Sequence, residues 1–356
     1  MAKRYINFSD LSRHRSALMG VAMLMVMLFH VNGPLHDTLW QCMLRCGNVG
    51  VDMFLFLSGI GLWFTWTKTD AAALCGKDAN THGGEGMASR LKTFYMRRYR
   101  RIYPTWLPFA CLYYIPLCID GSRGVADTVA DIAINLCFWT HDELTFWFIP
   151  AIMMLYTVAP AYMQLIIRRR VWRWLPAVFM VLCVLIQYCA PVHAAIGHLE
   201  IFFSRIPIFL LGINVGELVR EKRPLDASAV WFMLLIFVLS AAACVNFEDG
   251  MRGRFPLFLE RMVYIPLSVS MLLLLCPLLD AVPQRLHGAL AFVGGISLEL
   301  YLVHYHFIYV YIRPLQLGFL LSAVITIGAS LVVAWLVHIS PLTGVRQRDK
   351  TKNDKR

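Results

Sequence analysis

Long apolar blocks separated by short polar and basic segments repeat along almost the whole chain. Each block has about 17 to 25 residues, enough to cross a hydrocarbon layer of roughly 30 Å as a helix rising 1.5 Å per residue. The pattern predicts an all-α, polytopic membrane protein with about ten transmembrane helices. We expect them at Ser16–Val31, Asn48–Thr65, Tyr103–Ile119, Leu144–Ile167, Trp174–Ala190, Phe202–Val219, Ala227–Val245, Phe258–Val282, Gly288–Ile312 and Leu317–Ile339.

The composition supports this class, because 58% of the residues are hydrophobic and 15% are charged. A soluble domain has about 45 to 50% apolar and about 25% charged residues. With the N-terminus in the cytoplasm, 26 of the 33 lysines and arginines fall in inner segments. Both termini are therefore expected inside, and the net charge of +11 is attributed to orientation and anionic lipid rather than to nucleic acid.

The polar segments outside the expected spans give four further predictions. Residues 68–92 are expected to form a mobile cytoplasmic loop, and residues 125–139, with apolar residues at helical spacing, an interfacial helix on the outer face. A disulfide between Cys42 and Cys46 is a minor alternative on the outer side. Residues 1–345 are expected to be one integral-membrane domain, and residues 346–356 a basic, disordered cytoplasmic tail.

Ionisable residues inside the expected spans are the strongest candidates for function. Each costs roughly 2.5 to 3.5 kcal/mol on insertion scales for Arg, Lys and Asp, and so needs a partner or a task. Counting along the helices places four of them, His30, Asp52, Glu299 and His304, roughly 17 to 24 Å from the cytoplasmic surface, with Arg205 near the outer surface. The remaining two are Arg261 and His306.

One interpretation is that these groups only pair with one another and hold helices together. We favour a functional polar cavity, because two histidines and two carboxylates share one layer. A histidine beside a carboxylate suits proton removal from a hydroxyl group near neutral pH. His304 and His306 differ by about 200° around a helix and cannot face one site, so His304 is retained.

A second candidate is the basic stretch FYMRRYRRIYP, residues 94–104, at the cytoplasmic end of the third span. Arginines here commonly only anchor topology and bind lipid headgroups. Arg98 and Arg101, however, lie three apart and share a helix face, and two guanidinium groups so placed bind phosphates well. Arg97 beside them joins the same candidate anion site. A phosphate-rich cytosolic ligand fits this arrangement.

The sequence has no GxSxG motif, no GxxxxGK[ST] loop, no His-x4-Asp pair and no Cys/His set with metal spacing. Covalent serine or cysteine catalysis therefore lacks support, and no metal is expected.

Six stretches, in order and covering almost the whole chain, resemble the integral-membrane acyltransferase family 3, which includes surface-polysaccharide O-acetyltransferases. They are GVAMLMVMLFH (20–30), GNVGVDMFLFLSG (47–59), FYMRRYRRIYPTW (94–106), FWFIPAIMMLYTVAP (146–160), RIPIFLLGINVGE (205–217) and GGISLELYLVH (294–304). The resemblance implies ten transmembrane helices. It also implies transfer of an acyl group, usually acetyl from cytosolic acetyl-CoA, to a carbohydrate, glycolipid or other cell-envelope acceptor at the inner membrane.

The resemblance also implies roles for particular residues. The catalytic histidine of the family corresponds to His30, and its cytoplasmic Arg-x-x-Arg motif to Arg98 and Arg101. Family members usually carry an arginine eleven residues before that histidine, where this chain has Met19, and Arg15 lies one turn earlier on the same face.

Taken together, the sequence predicts His30 as general base, oriented by Asp52 or Glu299. Arg205 and His304 are expected to bind the acceptor. Two other functions stay open: a proton-coupled multispan transporter and an inactive acyltransferase-like scaffold. The absence of an inverted repeat disfavours the transporter, while Met19 keeps the scaffold open.

Overall fold

The computed structural model describes residues 6–31, 39–74, 87–141, 143–249 and 257–340. Its regular structure is helical apart from an isolated β-bridge between Asn7 and Pro224. The α-helices are α1 (Asp10–Arg13), α2 (Arg15–Val31), α3 (Leu39–Arg45), α4 (Val49–Leu74), α5 (Met87–Ile119), α6 (Val125–Ile134), α7 (Leu136–Thr140), α8 (Phe148–Arg168), α9 (Leu175–Tyr188), α10 (Ala190–Ile196), α11 (Glu200–Phe203), α12 (Ile206–Arg220), α13 (Ala227–Asp249), α14 (Leu257–Ala281), α15 (Gln284–Gly295), α16 (Ser297–Val303), α17 (Val310–Ile312) and α18 (Phe319–Ile339). The expected tail, residues 346–356, lies outside the described residues.

The helices confirm an all-α protein with many membrane-spanning segments. Within the described residues, eight helices or continuous helical runs are long and apolar enough to cross a membrane. A bent pair, Gln284–Gly295 with Ser297–Leu315, would be a ninth, and Arg15–Val31 is a shorter apolar helix. The total of ten spans and the cytoplasmic location of both termini stay predictions.

Helices α2 and α15 pack backbone against backbone through two glycines. A Cβ atom on Gly20 would lie 2.0 Å from the carbonyl oxygen of Leu290, and one on Gly294 would lie 1.9 Å from that of Ser16. These distances are far shorter than any van der Waals contact, so no larger residue fits at either position. The close contact sets the position of α2 relative to the chain that continues from α15 into α16.

Helix α4 lies at the centre of the bundle and packs in the same way against α12. A Cβ atom on Gly59 would lie 2.4 Å from the carbonyl oxygen of Phe209, and one on Gly212 would lie 2.2 Å from that of Phe56. Small residues at such crossings let helix backbones approach closely, which is how membrane helices gain packing contacts. Helices α2, α4 and α12 therefore form a tightly joined centre.

Helix α5 starts much earlier than the sequence predicted. It begins at Met87 rather than Tyr103, continues through Pro104, Pro108 and Pro116, and has 33 residues. Residues 68–74 likewise belong to α4, so much of the expected loop of residues 68–92 is helical. The prediction located helices by their long apolar blocks, which are typical of membrane-buried segments. It missed these additional turns because they are polar.

The helix expected in residues 125–139 begins with α6, and its two faces differ in burial. Asp131 and Thr128 are buried, whereas Val125 and Val129 are 71% and 62% exposed. An apolar face turned away from the protein is unfavourable in water and favourable against lipid. The arrangement indicates that α6 presents Val125 and Val129 to the membrane and its polar side to the protein.

The ninth expected span, Gly288–Ile312, is a broken helix. Helices α15 and α16 meet at an angle of 63° near Ile296, and a π-helical segment, His304–Tyr309, follows α16. Segments of π-helix are often found at functional sites.

No disulfide joins Cys42 to Cys46 in the structure, so the minor disulfide alternative is not realised.

Candidate active site

Two histidines from distant parts of the chain meet inside the bundle. His30 lies in the last turn of α2, and His304 is the first residue of the π-helical segment. Nε2 of His304 lies 3.2 Å from Nδ1 of His30, and the two rings meet edge to face with centroids 4.9 Å apart. His304 is 1% exposed. His306 lies elsewhere, against Phe146 and Tyr113, in agreement with its offset around the helix.

The hydrogen bonds around the pair allow one neutral tautomer for each ring. Nδ1 of His304 lies 2.9 Å from the carbonyl oxygens of both Leu300 and Tyr301, so this nitrogen carries the proton and donates it. Nε2 of His304 is then an acceptor for the His30 ring. Nδ1 of His30 also lies 2.8 Å from the carbonyl oxygen of Val26, so it is a donor too. The assignment follows from these partners and leaves the lone pair of His30 on Nε2.

The carboxylates expected to orient His30 are engaged elsewhere. The nearest cationic partner of Asp52 is Arg205, at 3.9 Å, and Glu299 lies 2.8 Å from Nδ1 of His338. Neither carboxylate contacts His30, which corrects the prediction. The depth of a residue along its helix does not determine which neighbouring helix its side chain faces. Asp52 faces α12, whereas Glu299 faces α18, so their similar depth does not bring them to His30. His304 occupies the position expected for the carboxylate, so it lies beside His30, the candidate base, rather than in a separate acceptor site.

Arg205, expected to bind the acceptor, belongs to a buried polar network. It is 1% exposed and donates to Asn48 at 3.0 Å in addition to its pairing with Asp52. A second pair, Arg261 and Glu200 at 2.6 Å, lies close by and interacts electrostatically with Arg205. Buried charges persist only when paired, and these pairs connect α4, α11, α12 and α14. The geometry therefore favours a structural role for Arg205.

A cavity of about 410 Å³ lies between α2, α4, α5, α8 and α16. Along α2 it is lined by Arg15, Met19, Met23 and Val26, a distance of about 16 Å at 1.5 Å per residue. One end therefore lies at the first residue of α2. The other lies at Val26, whose carbonyl oxygen accepts the hydrogen bond from His30. The cavity thus ends one helical turn from the candidate base.

Four arginines line the first end of this cavity: Arg15, Arg97, Arg98 and Arg101. No acidic residue lines the cavity within the described part of the chain, and none of the four pairs with a described carboxylate. Arg15 donates to the carbonyl oxygen of Leu57 at 3.4 Å, and Gly61 leaves room for its guanidinium group. Converging guanidinium groups without counter-charges form a favourable site for a phosphate-bearing ligand.

Met19, at the position of the usual family arginine, lies in the apolar wall of the cavity. Arg15 begins α2 one turn earlier and extends its side chain into the same cavity as Arg98 and Arg101. The spacing suggested that Arg15 replaces the family arginine, and in the structure Arg15 lines the same cavity as Met19; its role stays a prediction.

Residues 17–339 match the family model of an acyltransferase domain that defines acyltransferase family 3. This chain belongs to that family. The match covers nearly all of the chain, so the protein is a membrane acyltransferase by family. No curated protein and no solved structure matches the chain significantly.

Three potential metal ligands, Asp131, Cys137 and Glu143, cluster near α6 and α7 in the acyltransferase. Arg123 pairs with both carboxylates and supplies their counter-charge. Burial, and then the hydrogen bond with Asp131 and its charge, raise the pKa of the Cys137 thiol to about 11, which disfavours the thiolate that a metal requires. The described cluster is therefore an arginine-centred ion-pair network.

Tyr301 lines the inner end of the cavity of the acyltransferase, and sequence reasoning had not selected it. The sequence feature that could have identified Tyr301 is its position three residues before His304, because residues three apart lie on neighbouring faces of one helix.

Proposed function

We propose that this acyltransferase moves an acetyl or other short acyl group from cytosolic acyl-CoA to a hydroxyl group of a cell-envelope carbohydrate or glycolipid. One observation carries the proposal: the cavity has, at one end, arginines that pair with no described carboxylate and, next to the other end, the His30–His304 pair. Coenzyme A combines a phosphate-rich head with a long, thin arm that ends in the reactive thioester. The head suits the arginine end, and the arm suits the narrow, mainly apolar passage.

The chemistry follows from the free lone pair on Nε2 of His30. This nitrogen removes the proton of the acceptor hydroxyl as the oxygen attacks the thioester carbonyl carbon. The tetrahedral intermediate collapses by breaking the carbon–sulfur bond, and the leaving thiolate takes the proton from the imidazolium. The products are the acylated acceptor and free coenzyme A. His304 accepts the hydrogen bond of Nδ1 of His30 throughout and keeps Nε2 available.

The acceptor reaches His30 from the other side of the pair. Since the cavity approaches from Arg15 and ends at Val26, the acyl donor occupies the cytoplasmic side. His30 lies one turn further along α2, towards the expected outer surface. The proposal therefore places the protein in the inner membrane, with donor and acceptor arriving from opposite faces.

The test is transfer of label from radiolabelled acetyl-CoA to an envelope glycan preparation by the purified, reconstituted protein. The wild-type protein should label the glycan, and His30→Ala should lose the 10² to 10⁴-fold typically contributed by a general base. His193→Ala, in exposed α10, is the matched control and should retain activity. Equal labelling by His30→Ala contradicts the role of His30, and an unlabelled glycan in every sample contradicts acyl transfer.

A further inference from the structure

Tyr301 lies at the inner end of the cavity and touches the first turn of α8. Its ring packs against Phe148, with centroids 5.4 Å apart, and its hydroxyl oxygen accepts a hydrogen bond of 3.1 Å from the backbone N–H of Phe148. Its own carbonyl oxygen accepts a hydrogen bond from His304. One residue thus joins the end of the acyl-donor cavity to the histidine pair.

The hydroxyl proton of Tyr301 has no acceptor among the described residues. The oxygen is an acceptor towards Phe148, and a phenol has one proton to donate. An enclosed donor without a partner is unfavourable, because it has lost its hydrogen bond to water. Since Tyr301 lines the cavity, a ligand in the cavity is the available acceptor.

The other side chains at this depth are apolar. The innermost lining residues of α2, α4 and α8 are Val26, Val51, Phe54 and Phe148. The hydroxyl groups of Ser58, Ser297 and Tyr156 lie one or two helical turns nearer the arginine end along their helices. Tyr301 therefore supplies the side-chain hydrogen-bond donor at the end of the cavity.

The backbone before α8 is held in an unusual conformation that fixes this contact. Phe146 is 1% exposed and has φ of 52°, in the left-handed region that residues other than glycine rarely adopt. Such a conformation is strained and persists only where its surroundings hold it. Packing against Trp106 and His306 does so here. The turn leads directly into α8 and places the N–H of Phe148 against Tyr301.

We propose that the Tyr301 hydroxyl donates a hydrogen bond to the carbonyl oxygen of the thioester and to the oxyanion formed from it. This inference rests on the proposed function. When the acceptor oxygen forms its bond to the carbonyl carbon, the carbonyl π pair moves to oxygen, next to the Tyr301 proton. The pair returns as the carbon–sulfur bond breaks, while His30 carries the transferred proton. Tyr301 keeps its own proton throughout.

Removing one donor to an oxyanion typically lowers kcat by about 10² to 10³-fold. Tyr301→Phe keeps the ring and removes the hydroxyl, so kcat should fall by this factor with little change in KM for acetyl-CoA, because the bond strengthens in the transition state. Tyr162→Phe is the matched control, since the Tyr162 hydroxyl bonds Asn214 and does not line the cavity. Its kcat should equal that of the wild type.

A second substitution separates catalysis from support of α8. Fluorinated tyrosine at position 301 keeps the acceptor oxygen for Phe148 while making the O–H a stronger donor, so kcat should rise with fluorination at 301 and not at 162. If the wild type is active and neither substitution at Tyr301 changes kcat, the role of Tyr301 is overturned while the proposed function stands. An inactive wild type overturns the proposed function and this role with it.

Discussion

At the scale of single residues, the candidate site combines a proposed base, His30, that no described carboxylate contacts with arginines that pair with no described carboxylate. His30 is oriented by a neutral histidine, whose own Nδ1 is held by two backbone carbonyl oxygens. A neutral partner suits a site inside a membrane, because an unpaired carboxylate there is costly. Of the carboxylates at the same depth, Asp52 lies 3.9 Å from Arg205 and Glu299 lies 2.8 Å from Nδ1 of His338.

The role of His304 predicts a particular pattern of rescue. His304→Leu removes the acceptor for Nδ1 of His30, and kcat should fall by about 10-fold or more because the ring loses its fixed orientation. His304→Gln offers a carbonyl oxygen at a similar position and should recover part of the loss. KM for acetyl-CoA should change little in both variants. Equal activity of the leucine and glutamine variants would contradict the hydrogen-bond role.

Arg15 is predicted to perform the task of the usual family arginine. Arg15→Gln removes a charge-assisted phosphate contact worth about 1.5 to 3 kcal/mol, so KM for acetyl-CoA should rise by roughly 10- to 100-fold. Adding Met19→Arg should restore part of the affinity, because both side chains reach the same cavity. Arg170→Gln, whose side chain is 85% exposed, is the control. An unchanged KM in Arg15→Gln would assign the phosphates to other groups.

At the scale of helices, the site depends on the close packing of α2 against α15. This crossing fixes the helix that carries His30 against the chain segment that carries His304. The packing leaves no space for a side chain at Gly20 or Gly294, so the geometry of the histidine pair is set far from the pair itself. The bend between α15 and α16 then directs His304 towards α2.

Gly20→Val should separate the two helices and lower both stability and activity. Its Cβ would overlap the Leu290 carbonyl, so the fraction of folded protein and the thermal midpoint in detergent should both decrease. Gly328→Ala is the control, since nothing lies within 4 Å of a Cβ at that position in α18. Normal thermal stability of Gly20→Val would contradict the packing.

The sequence predicted the helical class and most of the apolar spans, whereas the roles of His30, Arg98 and Arg101 stay predictions. It did so because membrane crossing imposes a length and a polarity that are visible residue by residue. It did not predict the early start of α5, the bend after Gly295 or the partners of Asp52 and Glu299. Those depend on the direction in which each helix faces, which is decided by packing between distant segments.

At the scale of the whole molecule, the two chemical parts lie at opposite ends of one passage. Arginines surround the entrance near the start of α2, and the histidine pair lies beyond the inner end. The distribution of lysine and arginine along the chain predicts that the arginine end faces the cytoplasm. In the proposed function, the acyl donor and the acceptor then stay on opposite sides of the membrane and only the acyl group is transferred. A transporter would instead move its whole substrate across.

The most direct test is a sided transfer assay in sealed proteoliposomes, with radiolabelled acetyl-CoA added outside and an envelope glycan preparation present either inside or outside. Acetyl-CoA reaches only molecules whose arginine end faces outward, so we predict labelled glycan in the lumen and unlabelled glycan outside. Labelling of the glycan on the same side as acetyl-CoA, or of neither glycan, would contradict transfer through the passage between Arg15 and His30.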